Sequence, residues 1–197
     1  MKPPVIAICT PVYDTYEPLY QRSMRGLMMP GALPCPAVFC ESYGKLYEHA
    51  LMELTEAALR HADVTHLLFV DADMAFPPTA PAALLARRMP IVGGLCFERR
   101  PPFNPTLVGD DGRVITEWQP GALVPVQYTG AAFLMIERDV FKAIGTDWWK
   151  GDGRRSPDAC FLDRAREWKF GCFVDTAVGI GHIGKVVINE EFWRRHR

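Results

Sequence analysis

No apolar run in this chain approaches the roughly 20 residues that a membrane-spanning helix needs, so a membrane-embedded enzyme is excluded, while peripheral contact with a membrane is not. The opening Met1-Lys2-Pro3-Pro4 leads directly into a strand-like run too short for the apolar region of a signal peptide. An excess of one charge is missing as well: 22 Lys and Arg face 23 Asp and Glu, mixed along the chain. Without a broad basic surface, nucleic acid is not an expected partner. The one basic cluster, Trp193-Arg194-Arg195-His196-Arg197, reads as a solvated tail. Six cysteines (9, 35, 40, 96, 160 and 172) lack paired zinc spacing, and several sit inside apolar runs where cysteine acts as a small hydrophobe. A reduced, cytoplasmic setting is therefore expected. No Cys–His pairing marks a nucleophile, and no internal repeat or low-complexity tract is present.

What the chain does have is a short apolar run, His66-Leu67-Leu68-Phe69-Val70, that stops at Asp71-Ala72-Asp73 and soon meets Pro77-Pro78. Four or five apolar residues bounded by breakers read as a strand buried on both faces, and the prolines force the chain out of the sheet. Strand alternation would place Asp71 and Asp73 on one side, at the carboxyl edge where open α/β sheets bind ligands. Two such carboxylates repel unless a proton or cation sits between them. A hard cation, Mn²⁺ or Mg²⁺, suits oxygen ligands and commonly bridges to phosphate.

The remaining pattern alternates strands and helices. Strands are expected at 5–10, 37–40, 90–97, 129–136, 171–175 and 178–180; helices at 19–29, 45–60, 79–88 (capped by Thr79), 138–144 and 156–169 (capped by Ser156). Residues 99–127, rich in Pro and Gly, suggest hairpins, and 146–155 a mobile loop. With 197 residues this makes one domain: an α/β, Rossmann-like sandwich with a mixed, mostly parallel central sheet, helices on both faces and a small antiparallel appendage. Residues 1–98 and 99–197 form its two halves.

Several residues stand where chemistry could occur, each with a plainer reading beside it. Tyr13 and Asp14 follow the first strand and could stack on and hydrogen-bond a base, or merely close a loop. Arg99 follows a strand and could reach a phosphate, or be solvated. Trp148 and Trp149 could hold a sugar ring, or be buried. Asp158 sits where helix N-termini favour acids for structural reasons alone. His182 lies between glycines, which let other groups come close, yet a lone histidine is usually structural.

With those pieces placed, the chain resembles the GT-A type nucleotide-sugar glycosyltransferases, especially small bacterial and phage members of the inverting family-2 group. The resemblance runs in order through Ile8-Cys9-Thr10-Pro11-Val12-Tyr13-Asp14, His66 to Asp73, Val92 to Arg100, Thr129-Gly130-Ala131-Ala132-Phe133, Pro157-Asp158 and Val178-Gly179-Ile180-Gly181-His182. It implies that residues 1–98 are a nucleotide-binding half and 99–197 the half that completes the metal and acceptor sites, with a nucleotide-sugar donor held by Thr10, Pro11, Tyr13, Asp14, Asp71 and Arg99. It implies a divalent cation on which Asp71, Asp73 and His182 converge, with Asp71 also near the donor ribose. Asp158 would be the general base, and Gly130, Trp148 and Trp149 the acceptor side. The acceptor itself, a glycan, lipid or protein, is not specified. Two departures are visible: Pro157 replaces one member of the family's acidic pair, and Lys45-Leu46-Tyr47-Glu48-His49 stands where relatives carry arginines and an asparagine. Two rival readings are an aspartate-nucleophile phosphatase, which also places Asp-x-Asp after a strand, and a degenerate fold that binds nucleotide or glycan without turnover.

Overall fold

A computed structural model describes residues 3–184 and 187–196. Strand β1 (Ile6–Val12) and helix α1 (Pro18–Leu27) are followed by β2 (Ala37–Tyr43), α2 (Tyr47–Arg60) and β3 (His66–Val70). Next come β4 (Met74–Ala75), α3 (Ala80–Ala86), β5 (Ile91–Leu95), β6 (Leu123–Val126), β7 (Phe133–Glu137) and α4 (Arg138–Ile144). The chain closes with α5 (Pro157–Glu167), β8 (Cys172–Gly179), β9 (Gly181–Ile183), β10 (Val187–Ile188) and α6 (Glu190–His196).

Seven strands form the central sheet in the order β2-β1-β3-β7-β5-β8-β6. β1 runs parallel to β2 and β3, and β5 to β8, while β7 and β6 run against their neighbours. The sheet is therefore mixed but mostly parallel. Alternation along the strands sorts the core into two layers. Ala7, Cys9, Leu67, Phe69, Leu134 and Ile136 face α2, α4 and α5. Ile6, Ile8, Leu68, Val70, Val92 and Met135 face α1 and α3. Strands apolar at every position are what a sheet covered on both sides requires. A second, antiparallel sheet has the order β10-β9-β4, which is the expected appendage. No helix among the described residues is long and apolar enough to cross a membrane.

The differences from expectation are local. Thr79 and Ser156 precede α3 and α5 without a capping side-chain hydrogen bond; Thr79 already has helical backbone angles, and the Ser156 hydroxyl instead meets the Tyr128 hydroxyl at 3.4 Å. Thr129 to Ala132 lie outside β7, in the turn that precedes it. Residues 99–127 hold β6 and isolated bridges rather than full hairpins. The two expected strands at 171–180 are one, β8. The basic C-terminal cluster is not a loose tail: Trp193 is buried in α6, stacked on Trp118 and packed against Phe97. Arg197 lies outside the described residues.

Candidate functional site

Strand β3 ends at Val70, before the twin acids. The Asp71 carbonyl accepts the Met74 N–H at 3.1 Å, closing a tight turn through Asp71-Ala72-Asp73. Strand alternation therefore does not govern these two side chains, and they part company. Asp71 Oδ1 accepts a hydrogen bond from the Tyr47 hydroxyl at 3.4 Å. Asp73 Oδ2 instead lies 3.3 Å from His182 Nε2 and accepts Arg99 Nη1–H at 2.8 Å. The expected trio of Asp71, Asp73 and His182 is thus a pair, and among the described residues no three of His, Cys, Asp and Glu gather as a protein cage for a metal.

The small sheet is what brings His182 there. β4 pairs with β9 so that Met74 stands opposite His182, and the Ile183 N–H donates to the Asp73 carbonyl at 2.8 Å. His182 Nδ1 lies 2.8 Å from the Phe97 carbonyl, which can only accept, so Nδ1 carries a proton. Nε2 then faces Asp73 either with a second proton or with a lone pair. In the second case two acceptors confront one another, and a cation between them resolves the repulsion. The carboxylate oxygen suits Mn²⁺ or Mg²⁺, and the imidazole nitrogen, oriented by a backbone carbonyl, favours the softer Mn²⁺ of the two, with the remaining positions left for ligand or water oxygens. The residues fit such an ion as an open site rather than a closed one.

Two cavities meet at this point. The first, about 360 Å³, lies at the carboxyl ends of β1 and β3 and is lined by Pro11, Tyr13, Asp14, Glu17, Lys45, Tyr47, Asp71, Asp73 and Arg99. Four carboxylates there face two cations. Tyr13 stands exposed at its mouth. Thr10 does not contribute: its hydroxyl is buried against the Tyr20 hydroxyl at 2.7 Å. The second cavity, about 520 Å³, is lined by Phe97, Arg99, Arg100, Thr106, Tyr128, Gly130 and His182 among others. Arg99 borders both.

Asp158 stands beside the second cavity in the first turn of α5. Its Oδ2 accepts the Ala131 N–H at 3.2 Å and the Tyr128 O–H at 3.3 Å, while Oδ1 accepts the Ala159 N–H at 3.1 Å. Gly130 runs past the same carboxylate. Pro157 occupies the first helical position, where its missing N–H costs nothing. Trp148 and Trp149 are elsewhere. Both are buried, Trp148 donating to the Phe141 carbonyl at 2.9 Å and Trp149 stacking on Phe161. The indoles pin the 146–155 segment to α2, α4 and α5, so no sugar can reach their faces. A larger cavity of about 1030 Å³ lies between α1 and α6, behind β4 and β9. Its carboxylates, Glu190 and Glu191, are already taken by Arg194 and Arg195.

The electrostatics follow from this crowding. Burial, reinforced by the charges of Asp73 and Asp158, pushes the Asp71 carboxyl up to about 7. Burial opposes a charge on His182, but the Asp73 carboxylate and the Phe97 carbonyl outweigh it and raise the imidazole above its ordinary value. Tyr128 is pushed up to about 12 by burial and by Asp158. Sequence reasoning did not single out Tyr47 and Tyr128. A signal existed for both: Tyr47 opens α2, and Tyr128 directly precedes the Thr129-Gly130 stretch.

No family model and no curated protein matches the chain. Solved structures do. A197 from STIV superposes with a TM-score of 0.65 at 12% identity, over 92% of this chain and 86% of that one. The catalytic domain of Drosophila beta1,4galactosyltransferase 7 matches with a TM-score of 0.57 at 13% identity, over 98% and 81%. The inositol-1-phosphate CTP transferase from T. maritima matches with 0.52 at 13% identity, over 91% and 88%. At such identities the likeness establishes the fold, which is the GT-A type.

Proposed function

We propose that the protein is a glycosyltransferase that takes a sugar from a nucleoside-diphosphate donor, depends on Mn²⁺ or Mg²⁺, and inverts the anomeric centre. One observation carries this reading: Asp73 and His182 meet at 3.3 Å where an acid-rich cavity adjoins a second cavity flanked by Asp158. Four carboxylates against Lys45 and Arg99 would repel a diphosphate arriving alone. A divalent cation at Asp73 and His182 supplies Lewis-acid stabilisation of the departing nucleoside diphosphate.

The chain's own groups do the rest. Tyr13 and Asp14 take the base, Asp71 stands near the ribose, and Pro11 forms part of the wall. Arg99 borders the junction and can contact phosphate. The acceptor enters beside Gly130 with a hydroxyl directed at Asp158. As that oxygen bonds to the anomeric carbon, its proton passes to the Asp158 carboxylate and the carbon–oxygen bond to the diphosphate breaks, the electron pair leaving with phosphate. Asp158 Oδ2 already accepts two hydrogen bonds, so Oδ1 is the oxygen with room for the proton. Attack opposite the leaving group inverts configuration.

Calorimetric titration with uridine, guanosine, cytidine and adenosine diphosphates, with and without Mn²⁺, tests the reading. At least one should bind, and more tightly with Mn²⁺; Asp73→Ala should abolish the Mn²⁺-dependent part. Binding that ignores the metal, or no binding, would overturn it. Mn²⁺-dependent binding without transfer to any sugar acceptor would identify a nucleotide-binding protein on the same fold.

A further inference from the structure

We infer that Arg99 is a built-in competitor for the cation at Asp73, and that a diphosphate admits the cation by drawing this guanidinium away. The inference rests on the proposed reading of the site. Its basis is a shared atom: Arg99 Nη1 and His182 Nε2 both lie on Asp73 Oδ2, at 2.8 and 3.3 Å. One carboxylate oxygen offers two in-plane lone pairs; Arg99 takes one of them, and His182 Nε2 closes off the other side of the same oxygen.

A cation bound at the same oxygen would face a guanidinium at contact distance. Like charges that close exclude one another, so either the arginine leaves or the ion stays out. Arg99 is able to leave. About half of its side chain is exposed, whereas Asp73 and His182 are three-quarters or more covered. It sits in a tight loop whose base is closed by the Glu98 N–H on the Asn104 carbonyl at 2.8 Å. Phe97, at the foot of that loop, holds His182 through its carbonyl, so the imidazole stays in place when the arginine moves. Arg99 also lines the 360 Å³ cavity in which a diphosphate would lie. There its planar fork would find phosphate oxygens in exchange for the carboxylate.

The consequence is positive coupling between the two ligands. Diphosphate frees the Asp73 oxygen, the cation occupies it, and by linkage the cation strengthens diphosphate binding by the same factor. Neither ligand alone should bind well.

Mn²⁺ affinity measured by electron paramagnetic resonance, with Mn²⁺ alone and with inorganic pyrophosphate after correction for the Mn²⁺–pyrophosphate complex, tests the coupling. Arg99→Gln should bind Mn²⁺ alone at least about fivefold more tightly than wild type, and pyrophosphate should enhance Mn²⁺ binding less in the variant than in wild type. Arg99→Lys, which keeps the charge, should stay close to wild type. Arg113→Gln, which removes an exposed charge paired with Asp111, should leave Mn²⁺ affinity unchanged. Wild-type Mn²⁺ binding that Arg99→Gln leaves unchanged or weakens would overturn the competitor role alone. Absence of Mn²⁺ binding in every variant, with and without pyrophosphate, would overturn the metal-dependent reading and this inference with it.

Discussion

The indole N–H of Trp149 donates to the Thr55 hydroxyl at 2.8 Å, with both residues shut off from solvent. The Thr55 hydroxyl in turn donates a hydrogen bond to the Leu51 carbonyl one turn back along α2. A loop residue is thereby tied into the helix that presents Tyr47 to Asp71. Trp149→Phe keeps most of the ring packing against Phe69 and Phe161 but leaves the Thr55 oxygen without its donor. The expected loss is about 1–3 kcal/mol. Trp149→Ala should cost about 3–5 kcal/mol, since the cavity cannot close fully. Urea unfolding measures both. Trp149→Phe should bind nucleoside diphosphate as wild type does; a large loss of affinity with stability intact would restore a ligand-binding role to this residue.

Asp158→Asn tests the base. The amide keeps nearly the same shape and its oxygen can still accept from Ala131 and Tyr128, but it cannot take a proton. Nucleoside-diphosphate affinity should remain within about twofold of wild type while transfer falls by roughly 10²–10⁴. Single-turnover assays with radiolabelled donor would separate the two effects. Transfer at the wild-type rate would mean that the proton goes elsewhere.

How far the sequence discloses all this depends on the length scale of the signal. The two-layer core is legible because β1, β3 and β7 are apolar at successive positions, and such strands must be covered on both faces. The placement of His182 beside Asp73 follows from the family resemblance, since nothing in local patterning links residues 109 positions apart. The divergence of Asp71 from Asp73 was invisible: it depends on β3 stopping at Val70 so that a turn, rather than an extended strand, carries the acids. The two tryptophans misled because a polar neighbourhood such as Thr146-Asp147 and Lys150-Gly151-Asp152 suggests exposure. Their indole N–H groups found buried acceptors that only the tertiary structure supplies.

Asp71 gives a pH signature in the cation-free protein. Its folded value of about 7 lies well above the roughly 3.9 of an unfolded aspartate. Between those values the folded state holds a proton that the unfolded state has released, so stability falls as pH rises, by up to roughly 1.4 kcal/mol per pH unit. Asp71→Asn removes this dependence while keeping an acceptor for Tyr47. Its stability relative to wild type should grow from pH 4 to pH 7 and level off above. Urea denaturation at three pH values suffices, and parallel wild-type and variant profiles would show that Asp71 ionises normally.

Gly181→Ala asks whether the small sheet sets the geometry of the Asp73–His182 pair. A methyl group at Gly181 would lie 2.6 Å from Val187 Cγ1, within the β9–β10 pairing, and 3.6 Å from the Ala75 carbonyl of β4. Valine's short side chain has little freedom to retreat, so the two strands must separate or shift. Overpacking of this kind costs about 1–3 kcal/mol. Because β9 carries His182 and β4 follows directly from Asp73, the shift falls on the 3.3 Å contact between them. Mn²⁺-dependent nucleotide binding should therefore weaken by more than metal-independent binding does. Gly179→Ala provides the contrast, since a methyl there meets nothing within 4 Å and should leave the cation effect intact. A cation effect that Gly181→Ala leaves as intact as Gly179→Ala does would mean that the histidine is held by its own hydrogen bond to Phe97 rather than by the sheet.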